Sequence, residues 1–391
     1  MPRIAERVSQ LGTETALDVL IKARALEARG RTVIHLEVGE PDFPTPGHIV
    51  EAGVRALRDG HTRYGPPAGL PELREAICTE LFESRSVRAG PERIVVAPGA
   101  KPLVFYGILA AVSPGDEVLI PDPGFPIYAS MVRFCGGVPV AVPPRLTPED
   151  DARALDLDAL ERAITPRTRM VIFNAPSNPT GAVVPPDDLR RLAALCQRHD
   201  LWVMADEIYR RISYGEPPGS IAALPGMGER TIVVDGFSKC YAMTGWRLGW
   251  GLFPAALAPH VVRLVINCNT CTAAFVQRAG LAALTGPQDA VREMTAEFRR
   301  RRDAFVGRLR RIPGVRCTSP AGAFYAFPDV RGLPVPAAAL ADRLLEEEGV
   351  ASLDGSGFGR GGEGHLRFSF ANSLPNLEEA ADRFGRVAAR L

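Results

Sequence analysis

The 391-residue chain predicts an α/β protein, with a large domain built on a mostly parallel central sheet and a smaller α+β domain. Three observations predict it. Strand-like and helix-like segments alternate through most of the length, the pattern of a parallel sheet covered by helices. Three of the strands end in polar residues, as strands do where an open parallel sheet meets a ligand. After about residue 285 the alternation gives way to a long arginine-rich helix and two short strands.

The elements follow in order. Residues 1–14 read as an N-terminal arm, and a helix over 15–29 precedes a short strand, "TVIHLEV". "RIVVAP" is a strand that runs into the helix "AKPLVFYGILAAV". "DEVLIPD" and "RMVIFNAP" are strands, and "PPDDLRRLAALCQRHD" is an amphipathic helix that starts after prolines. "LWVMAD", "TIVVDG" and "WRLGWGLF" are further strands. The long helix "AVREMTAEFRRRRDAFVGRLRRI" then leads to the short strands "GAFYAFPDV" and "GHLRFSF". Residues 46–284 form the large domain on this reading, and residues 15–45 join 285–391 in the small one. The 38 glycines and 35 prolines are dispersed as turn punctuation, with no repeat or low-complexity tract.

Composition excludes several functions. A net charge of +1 creates no field for nucleic acid or an anionic membrane. The longest apolar runs fall short of a membrane span, and the N-terminus lacks the apolar centre of a signal peptide. Seven scattered cysteines suggest reduced thiols in a cytoplasmic setting. Cys268 and Cys271 have C-x-x-C spacing, but without a second pair or a nearby histidine they predict no metal site. The basic run at 299–302 reads as an exposed helix face balanced by Glu293 and Glu297.

The polar strand ends carry the chemistry. "VIFNAPSNPTG" brings Asn174 and Asn178, "WVMADEIY" ends in Asp206 with Tyr209 three residues on, and "TIVVDGFSK" leads to Ser238 and Lys239. Only three of the 46 basic residues are lysine: Lys22, Lys101 and Lys239. A chain that otherwise uses arginine keeps lysine where an amine must lose its proton and form a Schiff base, which a guanidinium does not do. Pyridoxal phosphate needs such a lysine and an acid for its ring nitrogen, a role that suits Asp206. "APGAKPLVF" ends a strand and starts a helix, so the amides of Gly99, Ala100 and Lys101 would cradle a phosphate, with Ser238 and Arg247 adding a hydroxyl and a charge.

Nearly the whole chain resembles the class I aminotransferases, pyridoxal-phosphate enzymes of fold type I, and among them the bacterial aspartate aminotransferases. "EVGEPDFPTP", "YGPPAGLPELREAI", "SNPTG", "ADEIY", "SKCYAMTGWRLG" and "HLRFSFANS" carry the resemblance. It implies that Lys239 forms the Schiff base and shuttles the substrate α-proton, and that Asp206 pairs with the pyridine nitrogen. Tyr209 and Asn178 would bond the ring hydroxyl oxygen, and Phe125 would stack on the ring. Arg367 would clamp the substrate carboxylate with help from Asn178 and the backbone of Gly39. Tyr64 would reach the phosphate site of a neighbouring subunit in a homodimer. The implied activity is ping-pong transfer of an amino group between an amino acid and a 2-oxo acid.

Three departures bear on specificity. Gly236 stands where many members have a phosphate-binding serine, which Ser238 would replace. Phe125 stands where close aspartate-specific relatives often have tryptophan. Asp354 replaces a usual proline near the substrate mouth, where a carboxylate would disfavour acidic substrates. Lys101 pulls the other way, since some relatives use a lysine there for a distal carboxylate. Aspartate or glutamate is therefore the first expectation, and aromatic or other neutral amino acids the second. The same scaffold also serves lyases, cyclases and oxidases. A cofactor-sensing regulator would need an N-terminal DNA-binding domain, for which fewer than about 15 residues leave no room. The Gly357-x-Gly359-x-x-Gly362 pattern precedes a strand rather than a helix, and reads as a flexible loop over the site.

Overall fold

The computed structural model describes residues 3–12, 15–144 and 155–391. Its strands in chain order are β1 (Ile34–His35), β2 (Ile94–Ala97), β3 (Glu117–Pro121), β4 (Val138–Val142), β5 (Thr168–Asn174), β6 (Trp202–Asp206), β7 (Thr231–Gly236), β8 (Gly249–Leu252), β9 (Tyr325–Ala326), β10 (Val350–Ala351), β11 (Leu353–Asp354) and β12 (Leu366–Ser369). Seven of them form the central sheet in the order β2-β8-β7-β6-β5-β3-β4. All of its pairings are parallel except those of β8, which runs antiparallel to both β2 and β7.

The period of two along each strand divides the core. In β5, Val171 and Phe173 join a cluster on one face, and Met170 and Ile172 join a cluster on the other. The helix Pro186–Arg198 packs Leu189, Leu192 and Cys196 into the first cluster. The helix Ala100–Ala111 packs Leu103, Val104 and Ile108 into the second. Burial on both faces is why the strands read as continuous apolar runs.

The expected strand "WRLGWGLF" shortens to Gly249–Leu252. Arg247 has φ of 55°, left-handed backbone that ends any extended run before it. The edge strand β4 gave no sequence signal, because Pro139 interrupts "VPVAV" and β4 pairs only with β3.

In the C-terminal part, β11, β12 and β9 form an antiparallel sheet, over which the helices Asp289–Leu309 and Leu374–Ala388 pack. β1 pairs in parallel with β10, and the Ser369 N–H donates to the Leu36 carbonyl at 2.7 Å. Ile34 and Leu36 therefore share a core with Phe298, Phe305, Phe368 and Phe384. The basic run at 299–302 is only partly an exposed face. Arg301 is buried, where it pairs with Asp42 at 2.7 Å and Glu297 at 2.8 Å and fastens the long helix to the 40–45 segment.

Candidate active site

At the carboxyl ends of β5, β6 and β7 opens a cavity of about 530 Å³. Every residue predicted for the site lines it except Gly99 and Tyr64, and Asp354, expected near its mouth, is also absent from the lining. Register explains the convergence, because Asn174 pairs with Asp206, and Asp206 with Val234, across adjacent strands.

Asp206 is buried at the floor. Its carboxylate accepts from the Tyr128 hydroxyl at 2.5 Å and the Ile208 N–H at 3.2 Å. Burial pushes this carboxyl up to about 6, against the pull of those two bonds, and the charges of Asp235 and Glu207 push the same way. Behind it the buried Arg85 guanidinium binds Glu207 at 2.5 Å and also binds Asp235.

Lys239 is half-buried, and its Nζ donates to the Gly39 carbonyl at 2.5 Å. The same amine stands 5.9 Å from the ring centres of Tyr209 and Phe324. The Tyr209 and Tyr325 hydroxyls share a hydrogen bond at 2.7 Å, and burial holds the Tyr209 phenol neutral. Arg367 donates to Asn178 Oδ1 at 3.3 Å and to the Glu37 carbonyl. Its guanidinium lies 4.6 Å from the Tyr325 ring centre and 5.1 Å from that of Phe358.

One end of the cavity is built at a helix start. Gly99, with φ of 100°, precedes the helix Ala100–Ala111. Its own N–H is taken by the Ala97 carbonyl at 2.7 Å, so what Gly99 supplies is room: a Cβ there would collide with the Arg247 guanidinium. A Cβ on Gly249 would likewise strike the backbone of Gly99 and Ala100. The exposed Arg247, held by the Thr244 carbonyl at 2.8 Å, and the helix N-terminus thus present positive charge at one end of the cavity. At Gly236 a Cβ would lie 3.0 Å from Gly249 Cα, a tight contact across the β7–β8 pairing. Lys101 Nζ stands 5.5 Å from the Phe125 ring centre, and Phe125 meets Tyr128 edge to face.

Two expectations change. Asp354 does not line the cavity; it borders a separate depression with Thr15, Lys22 and Asp342, and accepts from Ser356. Its carboxylate therefore gives no reason to disfavour acidic substrates. The loop 355–362 is pinned rather than loose, as Gly361 N–H donates to Asp122 at 2.9 Å and Gly124 N–H to the Phe358 carbonyl at 2.9 Å. Tyr64 is 87% exposed and outside the cavity of its own chain. Sequence reasoning missed Tyr128 and Tyr325, whose phenols look like core aromatics; the one available signal was that Tyr128 stands three residues after Phe125 and that Tyr325 falls in the strand-like segment "GAFYAFPDV".

The donor set fits a phosphorylated pyridine aldehyde: an amine, a buried carboxylate, a neutral phenol, and a glycine-lined cationic cradle whose space a single Cβ would fill. Fold and site together define a pyridoxal-phosphate-dependent transferase of fold type I. The sequence model of the aminotransferase class I and II family matches residues 31–384, and the chain belongs to that family. It is 42% identical to an aspartate aminotransferase of Pyrococcus abyssi, over 91% of this chain and 92% of that one. It is 40% identical to the aromatic-amino-acid aminotransferase 2 of Thermococcus litoralis, over 91% of each. The solved structure of the Thermus thermophilus aspartate aminotransferase with maleate superimposes with a TM-score of 0.93 at 39% identity, covering 99% of this chain and 100% of that one. The protein is a pyridoxal-phosphate-dependent aminotransferase.

Proposed function

We propose that this aminotransferase takes the α-amino group from a dicarboxylic amino acid, aspartate or glutamate, and passes it to a 2-oxo acid in two half-reactions. The observation that carries the substrate assignment is a pair of cations in one cavity, Arg367 beside Asn178 and Lys101 over Phe125, one for each carboxylate. The aspartate aminotransferases among the relatives support it. A second reading, aromatic substrates, is favoured by the apolar wall of Leu17, Leu20 and Val38 and by the Thermococcus relative.

When bound, the cofactor supplies an aldehyde that condenses with amines and a ring that stores the electron pair left at the substrate α-carbon. Asp206 would meet the ring nitrogen as a carboxylate and keep it protonated. Tyr209 and Asn178 would bond the ring hydroxyl oxygen, and Phe125 would stack on the ring. Ala100, Lys101, Ser238 and Arg247 would hold the phosphate, the first two through backbone amides, with Gly99 making the space. Arg367 would bind the α-carboxylate bidentately and orient the α-hydrogen towards Lys239. Lys239 Nζ would accept that proton as general base. In this reading the backbone of Gly39, whose carbonyl accepts from the amine, helps bind the substrate carboxylate through its N–H.

Residues 46–284 act as the large domain, and residues 15–45 with 285–391 as the small domain that carries Gly39 and Arg367. The active unit is a homodimer in which Tyr64 crosses to the partner's phosphate site. Its high exposure supports this, as do the exposed Ile4, Val8, Leu11, Leu17 and Ile21 near the N-terminus. Seven cysteines scattered along the chain support a cytoplasmic setting. Among the described residues no helix is long and apolar enough to cross a membrane.

The test is a panel of single half-reactions followed by cofactor absorbance. Aspartate and glutamate should convert the bound cofactor to its amine form with kcat/KM at least about tenfold above alanine, a difference worth about 1.4 kcal/mol. Lys239→Ala should stop turnover. Faster conversion by alanine or phenylalanine overturns the dicarboxylic assignment, and turnover by the lysine variant overturns the role of Lys239.

A further inference from the structure

We propose that Tyr128 is a positioning residue for the cofactor: its hydroxyl keeps Asp206 ionised and aimed, while its ring braces Phe125, so one side chain sets two groups that hold the ring. The inference rests on the reading of Asp206 as the partner of the ring nitrogen.

Tyr128 lies in the first turn of the helix Ile127–Phe134, next to the cavity floor, and is 1% exposed. Its hydroxyl is 2.5 Å from Asp206 Oδ2, and its ring meets Phe125 edge to face at 5.6 Å and 83°. An ionised carboxylate only accepts hydrogen bonds, so the phenol is the donor, and a bond to the charged form favours that form.

The surroundings make this donor decisive. Glu207, just after β6, and Asp235 on β7 both bind Arg85, and their like charge opposes ionisation of Asp206. Arg85, from the helix Pro71–Arg85, is engaged by those two and by Glu80. Lys239 donates to the Gly39 carbonyl, Arg367 to the Glu37 carbonyl and Asn178, and Tyr209 shares a hydrogen bond with Tyr325. Among the described residues, the hydrogen bonds reaching the Asp206 carboxylate are those from Tyr128 and the Ile208 backbone. Among the described residues, the phenol is therefore the side chain whose hydrogen bond stabilises the charge of this carboxylate. Because Tyr128 acts through Asp206 and Phe125, its loss is expected to move a pH profile and an affinity rather than to remove a reacting group.

The experiment measures the Kd of pyridoxal phosphate for the apoenzyme from pH 5.5 to 8.5, alongside thermal melting of each variant. Tyr128→Phe keeps the ring against Phe125 and removes the donor. Its acid limb, where affinity falls as Asp206 takes up a proton, should move up by about one pH unit, so that Kd rises several-fold near pH 6 and little at pH 8. Tyr128→His, which restores a donor, should return the limb towards that of the parent. Tyr128→Leu, which removes donor and brace, should weaken binding at every pH. Asp206→Asn separates the two ideas: it should weaken binding and flatten the acid limb. A flattened limb in Asp206→Asn with an unmoved limb in Tyr128→Phe overturns the role of Tyr128. Parental binding by Asp206→Asn at all pH values overturns the reading of Asp206 instead. If Tyr128→Phe fails to fold, the histidine and leucine variants decide: equal limbs in these two overturn the proposal.

Discussion

Replacing Arg85 by methionine should destabilise the protein by an amount the buried cluster sets. The guanidinium side chain is 1% exposed and binds Glu207 at 2.5 Å, Asp235, and Glu80 at 3.4 Å. Glu80 would keep Arg211 at 3.1 Å and Ser84 at 2.8 Å. Among the described residues, the hydrogen bonds left would be that from the Ser220 hydroxyl to Glu207 at 2.6 Å and that from the Gly236 N–H to Asp235. Two buried carboxylates are then left short of positive charge, a defect that costs about 3–5 kcal/mol. With an unfolding entropy of about 2.1 cal/mol/K per residue over 391 residues, that is a Tm lower by about 4–6 °C if the chain melts as one unit.

The pH dependence carries a sign. Burial already pushes the Asp235 carboxyl up to about 6, and losing Arg85 pushes it higher. A carboxyl raised in the folded state costs stability as pH rises through its folded value, so the deficit should be small at pH 5 and full at pH 8. Melting scans at both pH values, with Arg85→Met/Glu207→Gln/Asp235→Asn as the neutralised control, check this. A deficit under about 1 °C at pH 8, or one equal at both pH values, would refute the reasoning.

Two further outcomes are expected. Lys101→Ala should lower kcat/KM for aspartate by about 10- to 100-fold while leaving alanine within about twofold, the loss of one charged hydrogen bond to a distal carboxylate, read in the half-reaction assay. Native protein treated with iodoacetamide at pH 8 should be labelled first at the exposed Cys268, while Cys196 and Cys240, buried thiols pushed up to about 12, stay silent until unfolding; peptide mapping distinguishes them.

The parts of this molecule that were legible in the sequence share a physical cause. β5 and β6 are buried on both faces, so their apolar runs announced them, and the polar residue that ended each run marked the rim. Lys239 stood out because arginine replaced lysine almost everywhere else. Tyr128 and Tyr325 stayed hidden, since a phenol's hydrogen bond depends on which strand end or which tyrosine meets it in space. Asp354 was misplaced for the same reason: sequence proximity to the rim says nothing about whether a two-residue strand turns its side chain inward. Arg301 looked solvated within a run of four arginines, although the helix turns it into the segment that holds Asp42.

The one reversed strand of the central sheet has an architectural consequence. Because β8 runs back beside β7, the connection between them never crosses a face of the sheet; it is a short return at the rim that carries Ser238, Lys239 and Arg247. Amine, hydroxyl and guanidinium are thus fixed to one another by a single span of chain anchored at both ends. Variation in what the enzyme accepts has to arise on the opposite wall, contributed by remote parts of the polypeptide, where residues can be exchanged without disturbing the shared attachment point.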